Sequence, residues 1–206
     1  MDKNPLDAIL NPNAGVKDLY RYSKELNTSY IDVELGFYRE LYNEWDFSPI
    51  ADRDLDEDLF EFLESCVNDI NYRHKICIVF HLPKNLQDKE KEEKSIQGFV
   101  NYFNYSIRKQ NQLRRLEIEK AESSIFYGLI FLFVGTWASQ FVDENEVYLN
   151  FAFLAEGILI GGWVLCWEVV SIIFFRLKEL TAQRNILQRL RDSKIEFDYM
   201  ERSNAD

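Results

Sequence analysis

The chain has 206 residues, 29% of them charged, and a formal net charge of -11. That length accommodates one soluble domain of about 100 to 150 residues together with a membrane segment, and makes two independent soluble domains cramped. The acidic balance excludes bulk nucleic-acid wrapping, and a mean hydropathy of -0.31 conceals a concentration of apolar residues between positions 125 and 175.

Residues Pro5 to Leu26 read as one or two short helices broken around Asn11 to Gly15, and the polar, mixed first thirty residues carry no signal-peptide pattern. Tyr30 to Phe37 alternates as a strand with Ile31, Val33, Leu35 and Phe37 on one face. An aromatic segment, Tyr38 to Phe47, leads to a turn near Pro49. Asp54 is the expected N-cap, with Glu57 at the capping-box position, of a helix to about Asn68. Its expected buried stripe is Leu55, Leu59, Phe62, Leu63 and Cys66. From Glu44 to Asp69 ten acids face one base, Arg53. The DLDED run within that stretch is no EF-hand loop, because Leu59 takes the sixth position and Ser65 the twelfth.

Lys75 to Leu82 (KICIVFHL) is apolar on both faces and reads as a central strand ended by Pro83. His81 there suits a sheet residue better than a metal ligand, since neither it nor His74 has ligand spacing. A charged helix begins near Asp88, with Ile96, Phe99, Phe103 and Ile107 at helical spacing. The pattern continues through Leu113 and Leu116 towards the apolar region, so one helix would carry movement of the soluble part to the membrane.

Ile125 to Val142 is uncharged over eighteen residues, about 27 Å of helix and just enough to span a bilayer. The acidic stretch DENE, Asp143 to Glu146, follows, and then Val147 to Phe175 is mostly apolar. Arg108, Lys109, Arg114, Arg115 and Lys120 precede the first span, Arg176, Lys178 and Arg184 follow the second, and the loop between has no base. The positive-inside rule therefore puts both termini in the cytoplasm and the DENE loop outside. Trp137, Trp163, Trp167 and Tyr148 suit interfacial anchoring.

Glu156 and Glu168 lie in the second span, too close in sequence for both to escape a hydrocarbon core about 30 Å thick. Two registers are open: helices paired symmetrically about the loop put Glu156 near mid-membrane, whereas a span of Gly157 to Phe175 buries Glu168. An intramembrane carboxylate lines a cation path in an oligomer, or else sits protonated or snorkelling at a helix contact. Gly157 and Gly161 have GxxxG spacing, and Gly128 and Gly135 share a face of the first span, so all four are candidate helix-packing residues. Arg108, Lys109, Arg114 and Arg115 are candidate contacts for headgroups or for an anionic ligand. After the second span, Leu180, Ile186, Leu187 and Leu190 mark a helix, and Lys194 to Met200 alternates as a third strand that returns to the N-terminal sheet.

The expected fold is thus an α+β cytoplasmic domain, a sheet of about three strands with helices, joined to a two-helix transmembrane hairpin. Its parts are a domain at 1–120, a hairpin at 121–176 with spans at 125–142 and 148–175, and a returning helix and strand at 177–206. Cys66, Cys77 and Cys166 have no paired spacing and fit buried thiols in a reducing cytosol. No P-loop, GxSxG, GxGxxG or metal motif is present, so neither an enzyme nor a cofactor is expected.

This order of a small cytoplasmic domain, a two-span hairpin and no catalytic motif resembles membrane effectors of bacterial anti-phage defence. The resemblance implies a multi-pass protein of the bacterial inner membrane, a homo-oligomer in the lipid bilayer. Its cytoplasmic domain would sense a nucleotide or oligonucleotide and gate a channel or pore. The competing expectation is a membrane-anchored scaffold that recruits a cytoplasmic protein partner.

Overall fold

The computed structural model describes residues 20–144 and 152–201. The part of the expected N-terminal helices before residue 20, Asn145 and Glu146 of the expected DENE loop, and Tyr148 lie outside the described residues. The chain forms two units, one from residues 1–108 and 185–206 (the sheet unit) and one from 109–184 (the hairpin unit).

The sheet unit is α+β, with four strands in the order β1 (Arg21–Ser23), β2 (Thr28–Glu34), β3 (Lys75–Pro83) and β4 (Lys194–Met200). β1 is antiparallel to β2, and β2, β3 and β4 run parallel. Strand β1, additional to the three expected, corrects the expected helix to Leu26. A polar turn at 24–27 reverses the chain, and Asn27 closes it at φ 49°, the left-handed region that asparagine tolerates. β2 ends at Glu34, so Phe37 lies beyond the strand and is exposed while Ile31 and Leu35 are buried.

Helices α1 (Glu57–Asp69), α2 (Lys89–Glu144) and α4 (Leu177–Arg191) supply the rest of the core; α2 and α4 each contribute only the part within this unit. The cap of α1 is Asp56 rather than Asp54, its side chain accepting from Leu59 N at 3.0 Å. Leu55 instead bridges to Tyr42 ahead of the helix, which moves the start downstream. The buried stripe is consequently Leu59, Leu63, Cys66 and Val67, and Phe62 is 48% exposed. In α2, Phe99, Phe103 and Ile107 are buried, but Ile96 is 37% exposed and Ser95 takes the inward position, accepting from the Tyr42 hydroxyl at 2.8 Å. Phe80 of β3 meets Phe99 edge-on and lies beside Phe197 of β4, with centroids 6.2 and 5.6 Å away.

Arg189 of α4 closes the far end of α1. Its guanidinium donates to the carbonyls of Val67 (2.8 Å), Ile70 (3.2 Å) and Asn71 (3.0 Å), groups a helix end leaves without partners. Burial lowers the Arg189 pKa.

The face of the sheet opposite this core carries a polar row. His81 Nε2 lies 2.9 Å from Asp32 Oδ1, His81 Nδ1 is 3.2 Å from Asp198 Oδ2, and Arg21 pairs with Asp32 at 2.6 Å, so four strands are tied side by side. The Nδ1 contact is close but poorly aligned for a hydrogen bond. Burial pushes the Asp32 carboxyl up, but bonds from His81 and Arg21 outweigh it and hold it below its ordinary range. Among the buried thiols, desolvation pushes Cys77 up to about 11.

Two measurements check this fold. Phe103→Ala costs about 3–5 kcal/mol in denaturant unfolding of the detergent-solubilised protein, whereas Ile96→Ala costs under about 1 kcal/mol. The lowered Asp32 pKa adds stability above the usual carboxylate range that is lost as pH falls through the lowered value. Asp32→Asn therefore destabilises by about 0.2–1 kcal/mol at neutral pH, the small figure reflecting partial exposure, and the gap closes in strong acid.

Candidate functional site

Among the described residues, two helices are long and apolar enough to cross a membrane: the second part of α2 and the helix that starts as α3 (Ala152–Ser171) and continues through a π-helical turn (Ile172–Arg176) into α4. Their apolar windows are only 17% and 11% buried within the chain. Phe126, Phe133, Trp137, Phe153, Ile160, Trp163, Trp167 and Phe174 all stand exposed. A contiguous apolar surface of this kind marks contact with lipid or with another protein.

The buried seam between the two helices is made of small residues. On α2 these are Ala121, Ser124, Gly128 and Gly135, and on α3 Ala155 and Gly162, with Ile172 beyond. A Cβ at Gly162 would lie 2.8 Å from Leu132 Cγ and 2.9 Å from its backbone nitrogen. At Gly135 it would meet Leu159 Cγ at 2.8 Å and backbone N at 3.0 Å, and at Gly128 Leu165 Cβ at 3.2 Å. The absent side chains let the backbones approach. Of the GxxxG pair, Gly161 has ordinary contact with the Phe131 ring, and Gly157 has nothing within 4 Å. Gly162, one place further along, makes the close approach.

The two glutamates occupy different surroundings. Glu168 is ion-paired with Lys120 at 2.7 Å, and towards the same end of the pair, about one turn away on α2 and two turns away on the other helix, Arg176 approaches Glu117 at 3.8 Å. Gln110 donates to Gln183 at 2.7 Å beyond that. Polar pairing therefore closes one end of the hairpin. Glu156 is exposed on the apolar surface beside Gly157 and, among the described residues, makes no hydrogen bond or ion pair. Lys120 lies outside both apolar spans, so sequence periodicity alone does not nominate it as a partner; only the pairing of the two helices brings it to Glu168.

The four candidate anion contacts separate. Arg108 belongs to the sheet unit and lines an open cleft of about 800 Å³ with Arg53 and Arg191. Lys109, Arg114 and Arg115 belong to the hairpin unit, where Arg115 pairs with Glu119 at 2.9 Å. Among the described residues, no group of three or more His, Cys, Asp or Glu side chains is arranged to hold a metal.

The class defined by these features is a mixed α+β protein with two helices capable of spanning a bilayer. Comparison of the chain with protein-family models, with curated proteins and with solved structures returned no match.

The seam can be checked residue by residue. Gly162→Ala and Gly135→Ala each lower stability by about 1–3 kcal/mol through overpacking against backbone, read as a fall in Tm by circular dichroism in detergent micelles. Gly157→Ala leaves the Tm of monomeric protein unchanged.

Proposed function

We propose that the hairpin unit crosses the bacterial inner membrane twice, with both termini cytoplasmic, and that several copies assemble into a cation-permeable channel or pore gated by the sheet unit. The role suggested by its resemblance to anti-phage effectors is membrane disruption on receipt of a cytoplasmic signal.

The observation that carries this reading is Glu156. The helix pairing, Leu132 against Gly162 and Gly135 against Leu159, puts the middle of the first span opposite residues near Ile160 and Gly161. With a bilayer centred there, Glu156 falls about 7 Å from the midplane and Glu168 about 11 Å to the other side, at a rise of 1.5 Å per residue. Glu168 has Lys120 to offset its charge. Glu156 is exposed and has no ion-pair partner among the described residues, and a carboxylate so placed within a membrane requires water or protein around it. Gly157, beside it and free of contacts, supplies a surface on which a second copy can approach closely. A ring of Glu156 side chains meets both demands. Helix α2 runs unbroken from Lys89 to Glu144, so the chain passes from the sheet unit into the first span without an intervening loop.

A second reading, a membrane-anchored scaffold, is favoured by Trp45 and Phe47, which are 95% and 98% exposed on the sheet unit and offer an apolar contact to a protein partner.

Ion flux through liposomes at matched protein incorporation separates the two. The channel reading expects Glu156→Gln to reduce flux strongly and Gly157→Leu to reduce both flux and the cross-linked oligomer. It expects Glu168→Gln to act chiefly on stability. Flux indifferent to Glu156, or monomeric protein with no flux in the presence of nucleotides, sinks the channel and leaves the scaffold.

A further inference from the structure

Helix α3 is regular from Ala152 to Ser171, so the direction of each side chain follows from its place in the sequence. At about 100° per residue, Trp163 and Trp167 lie within about 20° of Glu156 around the helix, and Ile160 and Val170 within about 40°. The seam against α2, built on this helix by Ala155 and Gly162, lies about 110° to one side of that face, and Glu168 with its partner Lys120 about 120° to the other. The apolar members of the face are uncovered: Ile160 is 63% exposed, Trp163 60%, Trp167 67% and Val170 39%. One straight face therefore carries a carboxylate followed by two indoles.

Their depth is unusual for tryptophan. With the bilayer centred near Ile160 and Gly161, Trp163 lies about 4 Å and Trp167 about 10 Å past the midplane, both inside a hydrocarbon half-thickness of about 15 Å. Helix side chains lean towards their own N-terminus, here back towards the midplane, so neither indole reaches for the nearer interface. The interfacial anchoring expected of Trp163 and Trp167 does not fit this placement.

A pore with Glu156 on its wall draws the rest of that wall from the same face of the same helix, because copies related by rotation about the pore present identical surfaces to it. Along the axis, Trp163 follows Glu156 by about 11 Å and Trp167 by about 16 Å. Cations drawn to a ring of carboxylates in the outer half of the membrane thus meet rings of indole next. Repetition in every copy turns each indole into part of an apolar collar. A narrow collar of that kind expels water, and an ion stripped of water cannot cross it even where the side chains do not touch.

We propose that Trp163 and Trp167 are the closed gate of the pore, an apolar constriction on the cytoplasmic side of the Glu156 ring that must be moved aside before ions pass. The inference rests on the channel reading and adds to it the means by which the resting pore is kept shut.

The test is ion flux in liposomes with no nucleotide added, comparing wild type, Trp163→Ala, Trp167→Ala and the double variant at matched incorporation. Each single variant is expected to raise flux about tenfold or more, since it removes part of the collar. Adding Glu156→Gln to the double variant should abolish that gain, and Trp137→Ala, on the other span, should match wild type. Both indoles are exposed, so the variants should keep the wild-type Tm in detergent micelles. A second measurement reads the surroundings of the indoles directly. With Trp45 and Trp137 replaced by Phe, only Trp163 and Trp167 fluoresce. In bilayers of phosphatidylcholine with brominated acyl chains they should be quenched much less than N-acetyl-tryptophan octyl ester in the same bilayers. Quenching as deep as that of the ester puts the indoles in lipid and overturns the proposal. Flux that depends on Glu156 but is indifferent to both tryptophans overturns the gate and leaves the channel standing. No flux from wild type and double variant alike sinks the channel reading, and the gate with it.

Discussion

Strand β4 lies parallel to β3, and parallel neighbours cannot be joined by a short turn. The chain must travel the length of the sheet and come back, ordinarily over a single helix. Here the return path runs from Lys84 to Ser193 and contains both long apolar helices. The hairpin is therefore an enlarged crossover connection, and the parallel β3–β4 pairing is the constraint to which the rest of the architecture answers. It explains why α2 and α4 each serve two units, and why the last strand belongs to the same sheet as the first. Arg189, on the return helix, reinforces the closure by occupying the open carbonyls of α1.

The two units are held together internally by different physics. The sheet unit uses interlocked aromatic and branched side chains, Phe80, Phe99, Phe103 and Ile78 among them, and depends on excluding water. The hairpin seam has little apolar area to bury, because Gly128, Gly135 and Gly162 contribute none. Its gain comes from close backbone contact, which is the form of packing that still favours association where the surroundings are themselves apolar. The bulky side chains are turned outward instead, an inversion of the water-soluble pattern.

Much of this was legible in the sequence because period and composition are local. The run KICIVFHL reads as a strand buried on both faces, and it is the central strand. The alternation from Lys194 to Met200 marks β4, and unbroken helical spacing from Ile96 to Leu116 marks the continuity of α2. β1 is not legible because three residues show no period. The start of α1 is ambiguous in the sequence because Asp54 and Asp56 both satisfy the preferences of a cap, and the choice depends on the bridge between Leu55 and Tyr42. The partners within the site were not legible for a related reason. Whether Lys120 reaches Glu168 depends on how two helices register, and whether Arg53 and Arg191 share a cleft with Arg108 depends on the completed fold.

The position of β4 also sets an order of events during synthesis. A ribosome makes the hairpin before it makes residues 194–200, so one edge of β3 has no neighbour until both long apolar helices already exist. Phe80 and Leu82 lack the cover of Phe197 and Tyr199 during that interval. A nascent chain halted within the hairpin is left with an unfinished sheet and exposed apolar surface, the kind of species that aggregates or is degraded. Completion of the sheet unit thus certifies that the hairpin unit has been made.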